Sequence, residues 1–258
     1  MDPSPRCGAS LFVFAHQDDE LCAAPIIAEK KAEGRPVRVF YLTDGRAGQA
    51  SSATRDRESR NALAALGVSA DEIAFLGTAH GFPDGRLHTV LPDALRALED
   101  SARSLGPVRD IFTLAYEGGH QDHDATHAAA VVLARRLGLL ERTRQIPFYR
   151  AGTRPGFGVA VLAPLAENGP ASYRPMSAAE RVKVLALTRR YASQWRVLVV
   201  LGPLLAAACA VRPGLPMQPV SIDRLRERPS ARPLFYERRH EVNATEVSGA
   251  IARLTEEA

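Results

Sequence analysis

The stretch LFVFAHQDDE, residues 11–20, decides how this chain is read. Residues 11–14 are an uninterrupted apolar run with aromatic content, which reads as a buried strand. The run leads straight into His16 and three consecutive acids, Asp18, Asp19 and Glu20. Like charges at that spacing repel, so the cluster implies a positive partner supplied from elsewhere.

Working outward, residues 21–33 have helical character and stop at Gly34, a residue suited to ending a helix. VRVFYLT, residues 37–43, is the next strand and ends in the turn Asp44-Gly45. Strand, helix, strand over this span fits a right-handed parallel crossover. The alternation continues with a helix over 54–66, a strand over 73–77, a helix over 92–106, a strand over 111–115 and a helix over 126–137. This pattern predicts an α/β sandwich with a mostly parallel sheet. Residues 146–150 and 158–162 read as further strands, and Ser177 with Glu180 as a capping box opening a helix to about 190. Prolines 213, 216, 219, 229 and 233 mark a loop-rich stretch before a last strand near 233–236.

With 258 residues, 46% hydrophobic and 24% charged, the chain has the composition of a soluble globular protein with room for a sizeable core. It is expected to form one domain over 1–258, with 196–258 as a C-terminal extension carrying no motif. The net charge of +4 comes from arginine, since lysine occurs only at positions 30, 31 and 183. No basic run is interleaved with aromatic residues, so no nucleic-acid partner is expected. Cys7, Cys22 and Cys209 form no C-x-x-C pair and read as free thiols. The N-terminus lacks the pattern of a signal peptide, which sets the expected location as cytoplasmic. The apolar run 197–211 is broken by Gly202-Pro203 and is short for a bilayer span. A buried helix pair, or a helix with a break, is expected there, and no membrane contact.

Chemistry gathers at two strand ends. The first supplies His16 and Asp19, three residues apart; the strand over 111–115 is followed by YEGGHQDHDATH, with His120, His123 and His127. Open α/β sheets bind ligands at the carboxyl ends of their strands. A divalent cation on His16, Asp19 and His123 would offset the carboxylate repulsion. Two histidines, one carboxylate and an open position form a catalytic zinc pattern, and the same set holds iron(II). Asp18 is then the spare acid, placed to act as general base on a metal-bound water. His120 is placed to stabilise developing charge or to protonate a leaving amine. The chemistry is metal-assisted hydrolysis of an amide or ester.

AHQDDE with a later GGHQDH closely resembles the motifs of the PIG-L/LmbE-like deacetylases, usually A-H-P-D-D-E and H-P-D-H. The resemblance implies a Rossmann-like three-layer fold and a zinc-dependent enzyme that removes acetyl from N-acetylglucosamine-containing molecules. Carried over by position, it makes His16, Asp19 and His123 the ligands of one zinc ion, Asp18 the base and His120 the charge-stabilising partner. LTDGRAG, the R-x-x-E of RDRESRNALAALGV, FPDG and YASQW extend the resemblance over about residues 10–195. It implies substrate contacts for Arg55 and Asp84. Glu117, beside Gly118-Gly119, either touches substrate or only hydrogen-bonds its loop. Gln17 and Gln121 replace the usual prolines, and Gly118 stands where some members carry a tyrosine. From the residues alone, Arg55 and Glu58 also fit an ordinary surface ion pair three apart on a helix. His127 fits either a partner to the ligands or a plain helix residue; His80, His88 and His240 have no partner visible in the sequence. The expected function is deacylation of an N-acylated amino sugar or a small-molecule conjugate of one. The alternatives are an amidase of a non-sugar compound and, behind it, a non-catalytic carbohydrate-binding protein.

Overall fold

The structure is a computed structural model and describes residues 8–46, 50–152, 158–230, 233–239 and 242–256. Cys7 and His240 lie outside the described residues. Strand β1 (Ala9–Phe14) is buried along its whole length. Its alternation divides the interior: Leu11 and Val13 face one hydrophobic cluster, Phe12 and Phe14 the other. Helix α1 (Ala24–Ala32) returns the chain to β2 (Val37–Tyr41), parallel to β1. Helix α2 (Ser52–Ala64), capped by the Ser51 hydroxyl, leads to β3 (Ile73–Phe75), parallel to β2. Helices α3 (Leu76–His80) and α4 (Leu91–Ser104) then carry the chain to β4 (Val108–Leu114), parallel to β1 along its other edge. Helix α5 (Gln121–Arg136) precedes β5 (Thr143–Ile146), parallel to β4.

Strands β6 (Tyr149–Ala151) and β7 (Val159–Val161) form a separate antiparallel pair. After β8 (Ser172–Pro175) come α6 (Ala178–Thr188), opened by the expected Ser177–Glu180 capping box, and α7 (Trp195–Val211). Strand β9 (Gly214–Pro219) inserts antiparallel between β5 and β8, giving the order β3-β2-β1-β4-β5-β9-β8. Helices α8 (Phe235–Arg239) and α9 (Ala244–Glu256) end the described chain.

Leu98 of α4, Val131 of α5 and Ile251 of α9 cover one sheet face; Ile27 of α1, Leu63 of α2, Leu187 of α6 and Leu205 of α7 cover the other. The result is the three-layer α/β fold with a mostly parallel sheet. The strand order reverses at β1, whose neighbours β2 and β4 continue in opposite directions through the sheet. The crevice at the carboxyl ends of β1 and β4 is therefore where a ligand is expected.

Four expectations are corrected. The run 197–211 is one continuous helix through Pro203 in which only Leu205, Ala208 and Cys209 are buried, not a buried pair. The strand expected over 146–150 is split between β5 and β6, which belong to different sheets. The proline-rich stretch contains β9, a member of the main sheet. The segment near 233–236 enters helix α8 where a strand was expected, because Leu234 N–H donates to Glu237 Oε2 at 2.7 Å and opens a turn.

Candidate active site

Each acid after β1 has its own partner. Asp19 accepts from the backbone N–H groups of Ala15 (3.1 Å) and His16 (2.7 Å) through Oδ2, which also lies 3.5 Å from His16 Nδ1. Its Oδ1 lies 3.1 Å from His123 Nε2. Burial favours the neutral acid, but the charge of His123 and the bonds from both imidazoles outweigh it and hold Asp19 well below the usual carboxylate range. Asp18 turns to Arg55, whose Nη2 lies 3.3 Å from Oδ1. Glu20 accepts the Tyr191 hydroxyl at 2.5 Å and fixes the turn through Asp18 N–H at 2.9 Å.

The turn carries strain. Asp18 has φ 137°, a region that L side chains rarely adopt. Arg55 holds it there, donating also to Gln17 O (2.8 Å), Gly45 O (3.1 Å) and Asp84 Oδ2 (3.3 Å). Arg55 is thus no surface ion-pair partner of Glu58, which instead accepts the Ser193 N–H (2.9 Å) and hydroxyl (2.5 Å). Burial raises the Asp18 carboxyl to about 7, against the opposing charge of Arg55.

The second motif reaches the same place from β4. Gly118 takes φ 70° and makes the turn, and a side chain on Gly119 would meet the Tyr149 carbonyl oxygen at 1.8 Å, so Gly119 lets the loop pass β6. His120 is the N-cap of α5: its Nδ1 accepts the Asp122 N–H at 3.2 Å, which leaves Nε2 as the protonated nitrogen of the neutral ring. Burial, then the charge of His16, lowers its pKa to about 3. His123 lies on the first turn of α5 with its ring 5.3 Å from that of His16.

His16 faces Asp84 Oδ1 at 3.2 Å and Asp122 Oδ2 at 3.1 Å. Burial alone would lower its pKa; Asp84, Asp122 and Asp19 together raise it well above the ordinary value. One ligand nitrogen each of His16, His120 and His123 lie within 4.8 Å of one another, and so do ligand atoms of His16, Asp84, His120 and Asp122. His123 Nδ1 is a buried nitrogen without a hydrogen-bond partner among the described residues. A donor set of imidazoles and carboxylates with an orphan nitrogen among them fits a divalent cation.

A cavity of about 380 Å³ opens over this group. Asp18, Asp19, Arg55, Asp84, His120 and His123 all line it. Glu117 does not; it is buried and accepts the Phe148 N–H at 2.7 Å. His127 is also away from the cavity, bonding the Leu114 carbonyl at 2.8 Å from inside the core.

The GlcNAc-PI de-N-acetylase family, PIG-L, matches residues 11–134, the segment that carries both motifs. The uncharacterized deacetylase YaiS of Escherichia coli K12 is 32% identical over 133 residues, spanning 49% of this chain and 68% of that protein. The chain belongs to the PIG-L family of deacetylases. Solved structures share the fold at lower identity. Teicoplanin deacetylase Orf2 superposes with TM-score 0.62 at 18% identity, over 83% of this chain and 98% of that one. The N,N'-diacetylchitobiose deacetylase of Pyrococcus horikoshii gives TM-score 0.53 at 18% identity, over 82% and 84%.

Two further residues of this PIG-L-type site were not singled out from the sequence. Asp122 is fully buried and accepts the N–H groups of Gly85 (2.5 Å) and Leu87 (3.0 Å), so it ties the FPDG loop to His16. Its place between His120 and His123 was the available signal. Tyr149 lines the cavity with its ring edge-on to His123 at 5.2 Å. It had no signal, because it follows the motif by more than twenty residues and arrives only through β6.

Proposed function

We propose that this deacetylase removes an acyl group, acetyl in the simplest case, from an N-acylated amino sugar or a small conjugate of one. His16, Asp19 and His123 would hold one divalent cation, with zinc the first choice. The observation that carries the reading is the single Asp19 carboxylate set between two imidazoles at the floor of an open cavity. When bound, the cation supplies Lewis-acid polarisation of the amide carbonyl and a lowered pKa for water.

The chain supplies the rest. Asp18 accepts the proton of the attacking water, and a carboxyl near 7 is suited to do so at neutral pH. Arg55 keeps that carboxyl in its strained position beside the ligands. His120 donates from Nε2 to the oxygen on which charge develops, as a neutral ring held by the Asp122 N–H. Asp84 and Arg55 face the cavity with groups suited to sugar hydroxyls. The chemistry of the structural relatives supports an amino-sugar substrate: one is a diacetylchitobiose deacetylase, another acts in teicoplanin chemistry and was solved in a zinc-inhibited form. We also take the chain as one domain, supported by β9 in the main sheet and α9 in the core beside α5.

The test is acetate release by zinc-reconstituted protein from N-acetylglucosamine and its conjugates, run beside non-sugar acetamides. Turnover of the sugar set supports the proposal. Turnover confined to non-sugar amides gives the amidase reading instead, and binding of sugars without release gives a carbohydrate-binding protein.

A further inference from the structure

We propose that the outer face of α6 and α7 is a docking surface for an anionic lipid bilayer, and that it brings the mouth of the cleft against the membrane. Among the described residues seven large hydrophobic side chains are exposed. Five of them, Trp195, Val197, Val199, Val200 and Val211, belong to α7, and a sixth, Val182, to α6, packed beside it. Residues Ala192–Val211 are long and apolar enough to cross a membrane, and 17% of that window is buried. The helix nevertheless stays on the domain: Leu205, Ala208 and Cys209 are buried in the core, and Arg212 Nη2 donates to Val161 O at 3.2 Å. An apolar helix anchored on one side by the protein, with most of its window unburied among the described residues, is placed to rest on a bilayer without leaving the domain.

Charge decides the occupant. From 181 to 212 the chain carries Arg181, Lys183, Arg189, Arg190, Arg196 and Arg212 and no acid. Arg181 and Arg212 are engaged with backbone carbonyls. Lys183, Arg189, Arg190 and Arg196 are exposed, and none is in an ion pair among the described residues. A second copy of this chain would bring the same cations to the same face and be repelled. An anionic lipid surface offers apolar depth for the valines and phosphate for the arginines, and each basic residue near it strengthens binding by about 5-fold. Trp195 stands at the start of α7, a residue type favoured at the level of the headgroups. Arg196, Val197 and Val200 also line the cleft, so a docked protein opens its cavity toward the lipid. The docking does not rest on the deacetylase reading.

Trp195 is the sole tryptophan and therefore reports on this face without any substitution. The full chain is titrated at low salt with vesicles of phosphatidylcholine alone and of phosphatidylcholine mixed with phosphatidylglycerol. A saturable blue shift of Trp195 emission with the anionic vesicles, and co-sedimentation with them, is expected. The triple variant V182E/V199E/V211E replaces no residue that lines the cavity; it should lose sedimentation while keeping acetate release from a water-soluble substrate. R189E/R190E should bind anionic vesicles at least about 20-fold more weakly. The proposal is overturned if the wild type shows neither shift nor sedimentation, or if the triple variant binds as the wild type does. It is overturned in favour of self-association if the wild type is a dimer that V199E dissolves and no vesicle binds.

Discussion

Asp19 offers one carboxylate oxygen to each of two imidazoles, Oδ1 to His123 Nε2 at 3.1 Å and Oδ2 to His16 Nδ1 at 3.5 Å. Residues more than a hundred positions apart in the chain thus meet on one side chain. If that carboxylate is a ligand, Asp19→Ala should weaken zinc binding by more than ~100-fold, beyond what losing a mere supporting partner of a ligand does. Metal analysis of the purified variant checks this. An unchanged zinc stoichiometry would remove Asp19 from the ligand set.

Asp18→Asn separates proton transfer from metal binding. The amide keeps the shape and cannot accept the proton. Zinc content should match that of the wild type, while kcat falls ~10²–10⁴-fold. Near-full turnover by this variant would mean that another group is the base.

Asp122→Asn tests the link between the FPDG loop and His16. The amide loses the carboxylate that faces His16 at 3.1 Å and keeps the side-chain length. Zinc affinity should drop ~10–100-fold, read by competition with a chelator. Equal affinity would mean that Asp122 only shapes the loop.

Arg55→Lys retains charge but not the fork that reaches Gln17 O, Gly45 O, Asp18 and Asp84 together. Four acceptors cannot share one ammonium group in that geometry. Urea denaturation should show a loss of ~1–3 kcal/mol, in the range for buried acceptors left unpaired, with kcat falling as Asp18 leaves its strained position. A variant as stable and as active as the wild type would refute this role.

Glu117 sets a pH dependence of stability. Burial raises its carboxyl from the ordinary 4.5 to about 8. Between those values the folded chain keeps a proton that the unfolded chain has released. Stability contributed by this group is therefore complete below about 4.5, declines as pH rises and levels off above about 8, with a limiting slope of about 1.4 kcal/mol per pH unit. Glu117→Gln should flatten the curve of stability against pH by that one group. An unaltered curve would show that Glu117 titrates normally.

Much of this was legible in the sequence because the central strands are short apolar runs that stop at polar turns. Residues 11–14 and 37–41 announce themselves in that way. The two histidine motifs were legible for the related reason that a cluster of acids needs a partner. Strand β9 was hidden by Pro216 and Pro219, which read as loop; its pairing with β5 reaches only Arg144↔Pro219 and Gln145↔Gln218, so Pro219 ends that short ladder and Pro216 lies outside it, opposite Tyr173 of β8. Helix α7 departs from its expected burial because hydropathy measures how apolar a segment is and says nothing of which side the rest of the chain covers. Asp122 was missed because its partners, Gly85, Leu87 and His16, come from two other segments.

The seam between β1 and β4 has one more consequence. Its two rims belong to halves of the chain that come together only when the parallel pairing is complete, so a fragment ending before residue 120 holds one rim and no more. A ligand gripped across the seam is gripped by the finished fold alone, and mass action then makes it a brace against unfolding. Melting temperature should climb with the logarithm of free zinc and retreat on adding a chelator, giving a thermometer of site assembly that needs no substrate.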